Sequence, residues 1–178
     1  MKLKGSKKLE EIELKIGVLQ ITKALSFLHS ESQIVHLNIS PSCIYLDKKG
    51  IWKLCGFNFS VPVVETSSSA SSEYNFAEYN SVDAKYLAMP SLDYLACEYI
   101  FVRKSGFASD LFSFGCLLFE IYSGHKLIDS VNNVLNYKQS IENMHPIKTE
   151  GIPSDLGLSF QSISKTVNNV KKIEQLNH

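Results

Sequence analysis

The chain has 178 residues, of which 44% are hydrophobic and 20% charged, and its 18 Lys plus Arg balance 18 Asp plus Glu. That length can bury one real core, and the balanced charge calls for neither nucleic acid nor an anionic membrane as partner. No stretch approaches the roughly 20 apolar residues of a membrane helix, and the basic opening MKLKGSKKLEE leads into no apolar run of signal length, so no transmembrane segment is expected.

Residues 9–30, LEEIELKIGVLQITKALSFLHS, carry Ile12, Ile16, Leu19, Ala24, Leu25 and Leu28 at helical spacing. Leu14, Val18, Ile21 and Phe27 widen the stripe, which predicts a helix buried on most sides. Glu10, Glu11 and Glu13 fall in the first turns, where the helix dipole favours them. IVHLNISPSCIYL (34–46) then reads as a short apolar strand, a polar turn and a second apolar strand. DKKG (47–50) turns the chain from CIYLD into IWKLCGFNF (51–59), which predicts a hairpin. Over residues 61–92 the pattern fails, and the Ser-rich ETSSSASSE reads as a flexible loop.

SDLFSFGCLLFEIYSG (109–124) predicts a core helix, apolar nearly all round, with Ser109 or Asp110 as cap and Gly124 as stop. Residues 131–144 predict another helix, and a further one starts at IPSD (152–155) and runs to about residue 170. The four cysteines, Cys43, Cys55, Cys97 and Cys116, form no C-x-x-C pair, so they read as reduced, mostly buried thiols rather than a zinc or redox site.

The order of these landmarks is itself a signal. A helix ending LHS is followed by VH-x-N-I-x-P, a hairpin ending WKLCGFNF, a long loop closing on YLACEY, and SDLFSFGCLLFEI. This order resembles the C-terminal lobe of the protein-kinase fold from about residue 9 to residue 124, and more faintly to the end. The expected fold class is therefore mainly α (α+β), one partial kinase-like domain over 1–178 with a small hairpin at the catalytic loop. Within that superfamily LSFLHS, IVHLNISP, WKLCGFNF, YLACEYI and SDLFSFG look most like the Scy-like pseudokinases, in the branch linked to clathrin-coated vesicles. The glycine-rich phosphate loop and its lysine would lie upstream of residue 9, where only eight residues stand. The chain is thus expected to lack the N-terminal lobe, as a fragment, an alternative product or part of a longer protein, and to expose apolar surface where that lobe would sit.

The resemblance assigns chemistry to positions, and several are altered. Phosphoryl transfer needs positioned metal ions, a base near the acceptor hydroxyl and cations on the phosphates. In H-R-D-L-x-x-x-N the Asp accepts the hydroxyl proton; here that position is Asn38, whose amide has no basic lone pair at neutral pH. Leu37 replaces the Arg that would receive a phosphorylated loop. Ser40 stands where many kinases keep a Lys, and Cys43 stands at the metal-binding Asn, a soft ligand poorly suited to magnesium. Gly56-Phe57-Asn58 aligns with D-F-G, so the second metal ligand is a residue without a side chain. Asp47 belongs to the hairpin turn rather than to a metal.

Structural positions remain. His36 holds the loop histidine's place and Phe57 the apolar plug between lobes. Pro41 keeps the turn, and Ile44, Tyr45 and Leu46 would form the adenine floor. Asp110 matches the helix Asp that binds the catalytic-loop backbone, and a helix-cap role is compatible with that. Glu98 matches the Glu of A-P-E, with Cys97 for its Pro; Arg103 is misplaced as its partner, so Glu98 is either unpaired or its partner lies beyond the chain. Ser67–Ser72 occupy the activation-segment position with no obvious receiver for a phosphate.

The resemblance therefore implies a catalytically inactive scaffold or interaction module in clathrin-dependent Golgi–endosome traffic. It would be cytoplasmic, peripheral on Golgi, endosome or coated vesicle, with clathrin or its adaptors as partners of the full-length protein, no magnesium and no required cofactor. The alternative is an atypical kinase or ATP-binding domain with weak residual activity. An accidental likeness would leave the hairpin unpacked against the helix over 111–121.

Overall fold

The computed structural model describes residues 10–63, 90–101 and 105–144. It is mainly helical with two short antiparallel strand pairs, as the sequence pattern predicts. Helix α1 spans Glu11–Ser30. The Glu10 backbone N–H, left without an intrahelical partner, donates to Glu13 Oε2 at 2.8 Å.

The buried face of α1 is Gly17, Ile21, Leu25 and Leu28, at spacings of four, four and three. Ile12, Ile16, Leu19 and Phe27, which the pattern counted into a mostly buried stripe, are 59%, 48%, 54% and 63% exposed. The helix is apolar on two opposite faces, and only one of them meets the core.

Strand β1 (Ile34–Val35) pairs with β4 (Val61–Pro62), and β2 (Ile44–Leu46) pairs with β3 (Trp52–Leu54), with Leu46 opposite Trp52. The hairpin turn forms as expected: Asp47 Oδ1 accepts from the Lys49 and Ile51 N–H groups at 2.9 Å each, and Gly50 supplies φ +78°. Two expectations need correction. The stretch over 61–92 is not loop throughout: its first two residues form β4, the partner of the strand at Ile34. Residues 51–59 are not one strand either. Gly56, at φ +83°, breaks the extended run, and Phe57–Phe59 form a 3₁₀ turn. The main packing partner of the hairpin is α1: the Gln20 side chain accepts the Trp52 backbone N–H at 2.7 Å, and the indole lies over Gly17.

After a short helix α2 (Cys97–Phe101), α3 runs Phe107–Ser123. Its cap is Gly106, so Ser109 and Asp110 sit inside the first turn, not at the cap. Gly124 ends it at φ +78°, as read from the sequence. Eleven of its residues are buried, which makes it the core helix expected. Helix α4 (Val134–Glu142) begins on Asn133, whose side chain accepts from the Leu135 N–H at 2.8 Å. Its Tyr137 is fully buried and donates to the Leu95 carbonyl at 2.7 Å. The helix expected from residue 152, Arg103 and Ser67–Ser72 lie outside the described residues. Among the described residues, no helix is long and apolar enough to cross a membrane.

Candidate functional site

The loop between β1 and β2 is held from below by one carboxylate. Asp110, wholly buried on α3, accepts the His36 N–H on Oδ2 at 2.7 Å and the Leu37 N–H on Oδ1 at 2.8 Å. The sequence assigned Asp110 that role. It did not find His29, the histidine of LHS, whose Nε2 also reaches Asp110 Oδ2 at 2.8 Å. The signal existed, since a lone His at the end of a core helix needs a polar partner, but its partner is 81 residues away in the chain.

This clamp fixes an unusual backbone. Leu37 has φ +59°, a region that an L side chain other than Asn or Asp rarely enters, yet its side chain is buried. His36 is buried too. Its Nδ1 accepts the Asn38 N–H at 3.2 Å, which leaves Nε2–H to donate to the Cys55 carbonyl at 3.0 Å. Its ring meets Phe57 edge-on, centroids 4.7 Å apart.

Burial pushes the His36 imidazole below its ordinary 6.5, although Asp110 and the Cys55 carbonyl pull the other way. The folded protein then binds fewer protons at this ring than the unfolded chain. Stability should therefore be complete above about pH 7 and fall as pH drops through 6.5. Urea melts between about pH 5 and 8 should show that slope, and His36→Gln should flatten it while lowering the plateau; an unchanged slope would remove His36 as the cause. Asp93 acts lower. Burial works against its carboxylate, but bonds from Lys126 and Ser130 outweigh that and hold its pKa below 3.8, so its contribution is lost only in stronger acid.

The altered positions come together around Gly56. Asn38 Nδ2 donates to the Gly56 carbonyl at 3.3 Å. Ser40 and Cys43 are buried, and Ser40 Oγ lies 2.8 Å from Ser42 Oγ and 3.6 Å from Cys43 Sγ. The magnesium that a kinase fold implies needs hard oxygen ligands in near-octahedral array. A thiol, a glycine and an amide that donates its N–H do not supply them, so the residues present do not fit that ion. Among the described residues, no group of three or more His, Cys, Asp or Glu is placed to hold a metal.

Of the three adenine-floor candidates, Ile44 and Leu46 turn toward the core, and Tyr45, 57% exposed, faces outward. Beside Asn38, the dip between Pro90, Ser91 and Tyr94 encloses no space even for a water molecule, so no small-molecule pocket forms there. Glu98 is not unpaired: Ser109 donates to its Oε1 at 2.7 Å, a neutral hydroxyl where an Arg was expected. The same Ser109 Oγ accepts the Gly106 N–H at 3.1 Å. The sequence reading missed Ser109 because it placed that residue at the cap.

Comparison with known proteins adds an independent line. The sequence matches the family described as protein kinase domain over residues 1–175. It is 40% identical over 151 residues, 83% of this chain, to protein kinase domain-containing protein ppk32 of Schizosaccharomyces pombe. It is 37% identical over 131 residues, 74% of this chain, to human SCY1-like protein 2. Against the protein kinase-like protein SCY1 of Saccharomyces cerevisiae the identity is 32% over 129 residues, 72% of this chain. The matched region spans only 19%, 14% and 16% of those three proteins.

Proposed function

The chain belongs to the protein kinase domain family, alongside SCY1-like relatives, and on that premise we propose that it is a catalytically inactive kinase-like domain that works as an interaction and scaffold module. One observation carries the reading. The catalytic-loop backbone is kept in a strained shape by a fully buried carboxylate, while the positions for base and metal hold Asn38, Cys43 and Gly56. Strain of this kind persists only where surrounding structure over-determines it. A shape maintained without the groups that move a phosphate points to binding rather than turnover.

The module's proposed setting is clathrin-dependent traffic between Golgi and endosomes, on the cytoplasmic side, with clathrin or its adaptors as partners of the longer protein. This rests on the resemblance of IVHLNISP and WKLCGFNF to the coated-vesicle branch. Co-sedimentation of the longer protein with assembled clathrin coats tests it, and recovery in the supernatant alone would remove the setting but leave the module.

A second reading, an ATP-binding domain or atypical kinase, keeps some support from Tyr45, whose ring is open to a flat ligand. Loss of a general base alone costs about 10²–10⁴-fold rather than everything. The expected results are no phosphate transfer above background with magnesium or manganese, and no rise in melting temperature with ATP. Transfer that is lost on Asn38→Ala would overturn inactivity. An ATP-dependent rise without transfer would establish a nucleotide-binding pseudokinase.

A further inference from the structure

Gly56 and Cys43 align with the two residues that hold magnesium in an active kinase. They are also in direct contact. A Cβ built on Gly56 would lie 2.6 Å from Cys43 Sγ, 3.4 Å from Cys43 Cβ and 3.5 Å from Asn38 Nδ2. Real Cβ atoms do not come within 3.0 Å of a heavy atom outside their own chain neighbours without something shifting. The thiol that would have to give is 4% exposed and sits beside the buried Ser40 hydroxyl. The backbone at Gly56 is left-handed, at φ +83° and ψ 41°, a region open to Gly and, with less ease than Gly, to Asp and Asn.

The left-handed backbone strains a carboxylate side chain at position 56 without barring it, and the thiol adds a steric block to that strain. We propose that Cys43 is an internal plug, its sulfur occupying the volume a metal-ligating side chain at position 56 would need, so that the two altered positions are interdependent through packing. The Asn38 amide lies against the same space, its Nδ2 3.5 Å from that Cβ position and bonded to the Gly56 carbonyl. The cation site is then filled by the chain itself, and restoring the family's carboxylate in a single step meets a steric wall. This inference rests on the reading of the loop as inactive, and goes beyond it by naming what holds the site shut.

A double-mutant cycle on the 178-residue chain tests it, read by thermal melting without nucleotide. Gly56→Asp alone should lower the melting temperature by about 2–10 °C, the range for overpacking a built core in a domain of this size. In the Cys43→Ala background, where the nearest side-chain atom left would be the Cβ at 3.4 Å, the same substitution should lose at least half of that effect. Additive losses overturn the plug. If Gly56→Asp alone gives no folded protein, recovery of a cooperative melt in the double variant is the expected result. Failure to recover, while Cys43→Ala alone melts cooperatively, overturns the proposal equally. Phosphate transfer by the unaltered chain would instead overturn the inactive reading and leave the packing result standing, so the two failures are distinct.

Discussion

Asp110→Ala is expected to lower stability by about 3–5 kcal/mol, the scale for breaking a buried, hydrogen-bonded charge arrangement from one side. Three donors converge on this carboxylate: His29 Nε2, the His36 N–H and the Leu37 N–H, at 2.8, 2.7 and 2.8 Å. The backbone donors lie in the interior, so removing their acceptor leaves them without water to turn to. Strain at Leu37 limits the loss, because a loop that relaxes once Oδ1 is gone recovers part of it. Its left-handed backbone costs about 1–2 kcal/mol relative to an ordinary conformation, and Oδ1 is what the structure offers to hold it there. In a domain of this size the change should appear as a fall of about 6–20 °C in melting temperature. Asp110→Asn keeps the shape but turns an N–H₂ toward one of the donors, so its effect should be intermediate. A loss below about 1 kcal/mol for Asp110→Ala, the worth of a single ordinary hydrogen bond, would mean that the loop is held by something else.

The second large effect is expected at Gly17. Replacing a mid-helix glycine with alanine normally helps a helix by about 1 kcal/mol. Here a Cβ would lie 2.2 Å from Trp52 Cε2 and 2.3 Å from Cδ2, so the indole must move. It has little freedom to do so: Trp52 is 5% exposed, and its backbone N–H is tied to Gln20 on the same helix. Overpacking of this kind costs about 1–3 kcal/mol, and displacing the ring completely approaches the 3–5 kcal/mol of deleting a buried tryptophan. The clash wins over propensity. Gly17→Ala should destabilise, and Gly17→Val should do so more. Trp52 is the one tryptophan in the sequence, so its fluorescence reports the contact directly and should shift to the red. A stabilised Gly17→Ala with unchanged emission would show that the ring does not rest on this glycine.

These two sites mark where sequence reading succeeded and where it stopped. The loop around Asn38 was legible because its signals are local: His36 and Pro41 stand in one short span, and the resemblance to the kinase catalytic loop implies which role each position answers to. The hairpin turn was legible because DKKG carries its own chemistry, with an Asp to accept two backbone donors and a Gly for the left-handed step. The turn at Gly56 was missed because Ile51 through Phe59 is apolar enough to read as one strand, and only the backbone reveals the left-handed break. The contact of Gly17 with Trp52 joins a helix to a strand 35 residues on, and no periodicity announces it. His29 was overlooked for the same reason, since it acts through a partner brought near by the fold, whereas Ser109 was taken for a helix cap. The burial of α1 was misjudged because a helix apolar on two faces gives one broad stripe, and composition does not say which side will be covered.

That second face of α1 has a consequence for the protein in solution. Ile12, Ile16, Leu19 and Phe27 present a line of greasy surface, and a chain with 18 charges of each sign and an isoelectric point near 7.0 has no net repulsion to keep two such lines apart at neutral pH. Colloidal stability and folding stability then favour different directions on the acid side. Moving below neutrality charges the molecule and separates the copies, but it also protonates the unfolded chain's counterpart of His36 and weakens the fold. Moving above neutrality supplies repulsion without that loss, so mildly alkaline buffer is where this chain is both dispersed and intact.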